Sequence, residues 1–75
     1  MNALPYYDLF IHIVSMGIDF NDVFSSIDED IKLEILNYVE FLKKKPSKKE
    51  FISYEISNRS LTLFKDAVYK IIRLI

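Results

Sequence analysis

The sequence predicts an all-α fold, a small compact bundle of four helices plus a short helical turn, on three observations. Apolar residues recur at steps of three and four along most of the chain, which is the helical period. Residues that cap helices stand ahead of the apolar runs, and Gly17 and Pro46 follow the first two long ones. No stretch alternates apolar and polar residues as a half-buried strand would. Seventy-five residues suit one unit, so a single helical domain over residues 1–75 is expected.

Residues 26–45 organise the rest. Ile27, Ile31, Ile35, Tyr38, Val39 and Leu42 fall on one stripe, Leu36 widens it, and Leu33 and Phe41 flank it. Asp30, Glu34, Asn37 and Lys44 take the polar side. Ser26 and Glu29 have the spacing of a capping box, in which each side chain bonds the other's backbone N–H. Acids at 28–30 meet the positive end of the helix dipole, and lysines at 43–45 meet the negative end. Glu40 stands four residues before Lys44, the favourable order for an ion pair. Pro46 lacks the next N–H and stops the helix.

Ahead of this segment, Pro5 suits a first helical turn, and residues 6–16 follow as a helix. Tyr6, Leu9, Phe10, Ile13 and Val14 form its main stripe, with Tyr7, Ile11 and Met16 beside it. Only Asp8, His12 and Ser15 form a polar strip, and a helix so apolar belongs at the centre of a bundle or at an interface. Gly17, the sole glycine, stands where a left-handed C-terminal cap belongs. Asp19 is the next N-cap, with Ile18 and Val23 as a hydrophobic staple. Phe20, Val23, Phe24 and Ile27 fit one or two turns of helix leading into residues 26–45.

After Pro46, Ser47 and Glu50 form a second capping box that opens residues 51–56, with Phe51, Ile52, Tyr54 and Ile56 inward. Residues 57–60 are polar and suit a turn. Ser60 is the expected cap of a last helix with core positions Leu61, Phe64, Val68, Ile71, Ile72 and Ile75. No glycine or proline enforces that break, so one helix over residues 48–74 is the alternative.

Composition bears on function. The chain is 51% hydrophobic and 15% aromatic, with no cysteine for a disulfide or a thiolate metal site. A chain this short buries only about 60% of its unfolded surface. The surplus apolar surface therefore goes into dense packing or into a face for a partner. The apolar runs are a few residues long, too short to span a membrane, and no basic flank precedes an apolar core at the N-terminus. A cytoplasmic location is expected. Richness in Ile, Lys, Asn, Phe and Tyr fits an AT-rich genome, of a low-GC bacterium, its phage or a large DNA virus. The net charge of −1 conceals an asymmetry: residues 1–42 carry −7 and residues 43–75 carry +6.

Catalysis is not expected, with one histidine, no cysteine and no Gly-rich phosphate loop. No cofactor or metal site is expected either. The acids at 28–30 lack the alternating ligands and the glycine of a calcium loop.

Ser47, Glu50, Phe51, Ile56, Ser57 and Leu61 partly resemble the order of residues in a helix-turn-helix, although the usual turn glycine is missing. The resemblance implies a DNA-binding regulator. Lys43, Lys44, Lys48 and Lys49 would hold phosphates, and Asn58, Arg59, Thr62, Lys65, Tyr69 and Arg73 would face the groove. The acidic N-terminal half would repel a duplex. Residues 27–45 also resemble a helical segment of small bacterial antitoxin-associated proteins, over about a quarter of the chain.

The apolar surplus points elsewhere. Leu63, Ala67 and Leu74 lie beside the core stripe of the last helix, as Tyr7 and Ile11 do on the first. They are the candidate face for another protein or a second copy of the chain. The expected function is thus a small non-enzymatic regulatory protein, such as an inhibitor, an antitoxin-like protein or an accessory subunit. The alternative is the small DNA-binding regulator, acting as a dimer.

Overall fold

The computed structural model describes residues 3–74. A 3₁₀ turn at Leu4–Tyr6 holds Pro5 and leads into α1 (Tyr7–Val14). The helices α2 (Phe20–Val23), α3 (Glu29–Lys43), α4 (Lys48–Ser53) and α5 (Asn58–Leu74) follow, and no strand occurs among the described residues. The all-α bundle expected from the period of the apolar residues is therefore the fold.

α3 is central because its stripe of Ile35, Tyr38, Val39 and Leu42 is buried, with Ile27 and Ile31 half-buried on the same side. α1, α2 and α5 pack against it, and α4 closes one end against the 3₁₀ turn. The radius of gyration is 11.5 Å. A folded unit of this length has about 11 Å.

The core turns on aromatic rings. Phe10 of α1, Tyr38 of α3, Phe51 of α4 and Phe64 of α5 meet at centroid separations of 4.8 to 6.4 Å. Phe64 stands edge-on to Phe10 and to Tyr38, the geometry a ring quadrupole favours. Phe20 of α2 reaches Phe64 at 5.7 Å, so every helix contributes a ring. Tyr7 adds an edge contact to Phe51 at 5.1 Å, and its hydroxyl donates to the Pro46 carbonyl. Burial pushes the Tyr38 phenol up from its ordinary pKa, with Tyr54 a lesser cause.

Several local signals hold. Gly17 has φ +76° at the end of the first helical segment, and the Asp19 carboxylate accepts the Asp22 N–H at 3.3 Å. Ser47 and Glu50 form both bonds of the capping box, at 2.9 and 3.1 Å. The Glu50 carboxyl is held below its ordinary pKa by the Ser47 N–H and then by the Ser47 hydroxyl.

Others are corrected. The Ser26 capping box does not form, and α3 begins at Glu29 after Asp28. Phe24 is buried and its carbonyl takes the Ile27 N–H, which commits residues 24–27 to a turn. The Glu40 carboxylate pairs with Lys43 at 3.1 Å rather than with Lys44, an exposed contact of little energetic weight. α5 starts at Asn58, so the break falls at residues 54–57, with Tyr54 extended at ψ 128°. The cap is Ser57, whose hydroxyl accepts the Ser60 N–H at 3.2 Å. Ser60 instead points inward and is 0% exposed.

Ile52 is 57% exposed, because a six-residue helix turns only Phe51 inward. Ile72 is 38% exposed, on the last turns of α5, where no residue beyond Val68 is buried. Ile75 lies outside the described residues. Val23 is 42% exposed, so half of the expected staple faces out.

Lys45 is at φ 54°, a left-handed position that a Cβ makes costly, just before the buried Pro46. Two substitutions should therefore have opposite signs. Gly17→Ala meets nothing within 4 Å, so it isolates the backbone strain and should cost about 1–2 kcal/mol. Lys45→Gly relieves the same strain and should gain up to about 1 kcal/mol. Urea unfolding of both variants tests the pair.

Candidate functional site

Two surfaces answer the sequence-based expectations. The first is a groove of about 430 Å³ along the C-terminal half of α5. Leu63, Ala67, Ile71 and Leu74 line one side, and Val23 and Ile27 line the other. It is possible because α5 carries apolar residues at 63, 67, 71 and 74, one per turn, beside its buried stripe. The opposite wall comes from the end of α2 and the turn into α3. Leu74 is 88% exposed, and Leu63 and Ile71 are half-buried. Asp66 and Lys70 are the charged residues of the lining.

Of the five residues expected on this face, Leu63, Ala67 and Leu74 are brought together in the groove. Ala67 is also part of the core. Tyr7 and Ile11 are outside the groove lining, half-buried against the core. Val23, Ile27 and Ile71 were not expected there. Their signal is weak in sequence, since Val23 ends α2 and Ile27 belongs to the turn after it, and only the fold sets the two beside α5.

The second surface is basic. Lys43, Lys44, Lys48, Lys49, Asn58, Arg59, Thr62, Tyr69 and Arg73 are exposed, and Lys65 is half-buried. Lys48 lies over the Tyr7 ring at 5.8 Å and Lys65 over the Tyr6 ring at 5.3 Å. Tyr69 meets Tyr6 edge-on at 6.3 Å, so Lys65 and Tyr69 share one ring of the N-terminal segment. Such contacts are worth about 0.5–1 kcal/mol each at exposed sites, enough to bias these side chains toward the protein.

The start of α5, the end a recognition helix would present, is already occupied. Glu34 on α3 accepts the Ser57 N–H at 3.2 Å and the Ser57 hydroxyl at 2.7 Å, and it accepts the Ser60 hydroxyl as well. A carboxylate there complements the positive end of the helix dipole. Bonds from Ser60 and then Ser57 hold the Glu34 carboxyl below its ordinary pKa, against a smaller opposing effect of burial. In the sequence Glu34 stands out only as a residue of the polar side of its helix. Its partners are 23 and 26 residues away, beyond any local pattern.

His12 is exposed, and its carbonyl accepts the Ser15 hydroxyl at 2.7 Å and the Ser15 N–H at 3.2 Å. No three acidic or histidine side chains converge as a cation would need, among the described residues. No helix of the described residues is long and apolar enough to cross a membrane.

The Glu34 clamp makes stability depend on pH with a defined sign. A lowered folded-state pKa means stabilisation that is full above the ordinary carboxylate value and lost as pH falls through the lowered one. Glu34→Gln should cost about 1 kcal/mol at neutral pH, a modest figure because water reaches the carboxylate. The gap between wild type and variant should close between about pH 5 and pH 3. Thermal unfolding of both proteins across that range checks it.

No protein-family model, no curated protein and no solved structure matches the chain, so its functional reading rests on its own residues and geometry.

Proposed function

We propose that this chain is a small non-enzymatic interaction protein that binds an apolar helical segment in the groove beside α5. The observation that carries this reading is the groove itself. It joins residues of α5 to Val23 and Ile27, and it leaves Leu74 almost fully in water. A helix laid in a groove is held by apolar anchors at steps of three and four, which Leu63, Ala67, Ile71 and Leu74 match in spacing. The charged residues Asp66 and Lys70 orient the partner, while the apolar floor supplies affinity.

A second reading, a helix-turn-helix DNA-binding regulator, is favoured by one observation. A capped short helix, a four-residue turn and a long helix exposing Arg59 and Thr62 follow in order. Glu34 weighs against it, because its carboxylate sits at the helix end that would approach phosphates.

Charge-introducing and charge-removing variants separate the two. Leu63→Glu or Leu74→Glu should abolish capture of a protein partner, with Arg59→Ala and Lys65→Ala retaining it. Binding to a random-sequence duplex with a log–log salt slope of about −4 or steeper, lost in Arg59→Ala, would favour the DNA reading instead.

A further inference from the structure

We propose that the occupant of the groove is a second copy of this chain, with the two α5 helices paired antiparallel about a two-fold axis. This rests on the reading of the groove as a protein-binding site and names its partner.

One molecule carries both the hollow and what fills it. No residue of α5 beyond Val68 is buried, yet Ile71 and Leu74 continue the apolar row out to its end. The outer turns of α5 are an apolar projection beside an apolar groove. A two-fold contact uses the same patch on both copies, so a surface that holds both parts can close on itself.

Charge favours the same pairing. The residues along the groove edge, Leu63, Asp66, Ala67, Lys70, Ile71 and Leu74, are arranged almost symmetrically about their midpoint. Antiparallel pairing that sets Leu63 of each copy opposite Leu74 of the other brings Asp66 beside the other copy's Lys70, twice. Parallel pairing would set each charge against its like. Opposite charges thus favour the antiparallel register, and like charges penalise the parallel one.

The helix is also long enough for such a contact. Residues 63–74 span about 18 Å of helix. Small Ala67 near the middle lets two helices approach toward the short end of the usual 8–10 Å separation, roughly. A contact of this extent lies at the low end of specific interfaces, where reversible association is expected.

Sedimentation velocity of the full chain over a concentration series is the test. A reversible monomer–dimer equilibrium is expected. Leu74→Glu should weaken it by at least about tenfold. Its circular dichroism should be unchanged, since Leu74 is already in water. Asp66→Lys and Lys70→Glu should each weaken the homodimer, and an equimolar mixture of the two should form a heterodimer. A chain that stays monomeric at high micromolar concentration overturns the self-pairing. So does a dimer indifferent to Leu74→Glu, or a mixture with no preference for the heterodimer. A monomeric chain that still captures another protein in a Leu63- and Leu74-dependent way keeps the groove reading and discards only the second copy.

Discussion

Phe10, Tyr38, Phe51 and Phe64 come from four helices, and the packing of Phe10 and Tyr38 against each other and against the other two rings is the contact on which the bundle depends. Rings that meet edge to face accept little sliding, so each helix fixes the rotation of its neighbours. A chain of this length without disulfides has little else to fix it. The cost of ordering the backbone is set against a core made mostly of large rings and branched aliphatic residues.

The rings fix rotation, and Glu34 fixes where α5 begins. Ser57 and Ser60 bring backbone and hydroxyl donors to one carboxylate from the neighbouring helix. This contact resolves the ambiguity between one long helix and two. A helix through residues 54–57 would carry those donors away from Glu34. The turn is retained although it contains neither glycine nor proline.

What was legible in the sequence was local or periodic. The α3 stripe, the Ser47–Glu50 box, the Asp19 cap and the left-handed Gly17 depend on residues within a turn or two of each other. What was illegible depended on distant partners. Ser26 and Ser60 both fit caps by pattern, but the burial of Phe24 in the core and the Glu34 carboxylate that takes the Ser60 hydroxyl decide otherwise. The same division holds for the candidate surface. Leu63, Ala67 and Leu74 stand out on a helical projection of α5. Val23 and Ile27 could be found only once the turn between α2 and α3 was seen against it. Tyr7 looked like surplus apolar area, yet its hydroxyl reaches Pro46 and its ring reaches Phe51.

The brevity of α4 has a consequence for how the molecule breathes. Six residues cannot sustain a helix alone. One ring, Phe51, is all that α4 buries in the core. Its detachment would expose the flank of Tyr38 while leaving α1, α3 and α5 in contact through Phe10 and Phe64. Amides of α4 would then exchange with solvent through a partial opening well below the global unfolding free energy. Those of α3 would wait for the whole bundle to come apart. The molecule is in this sense a three-helix body with a hinged cover, and the cover opens on Lys48 and Lys49, just after the lysine run at residues 43–45.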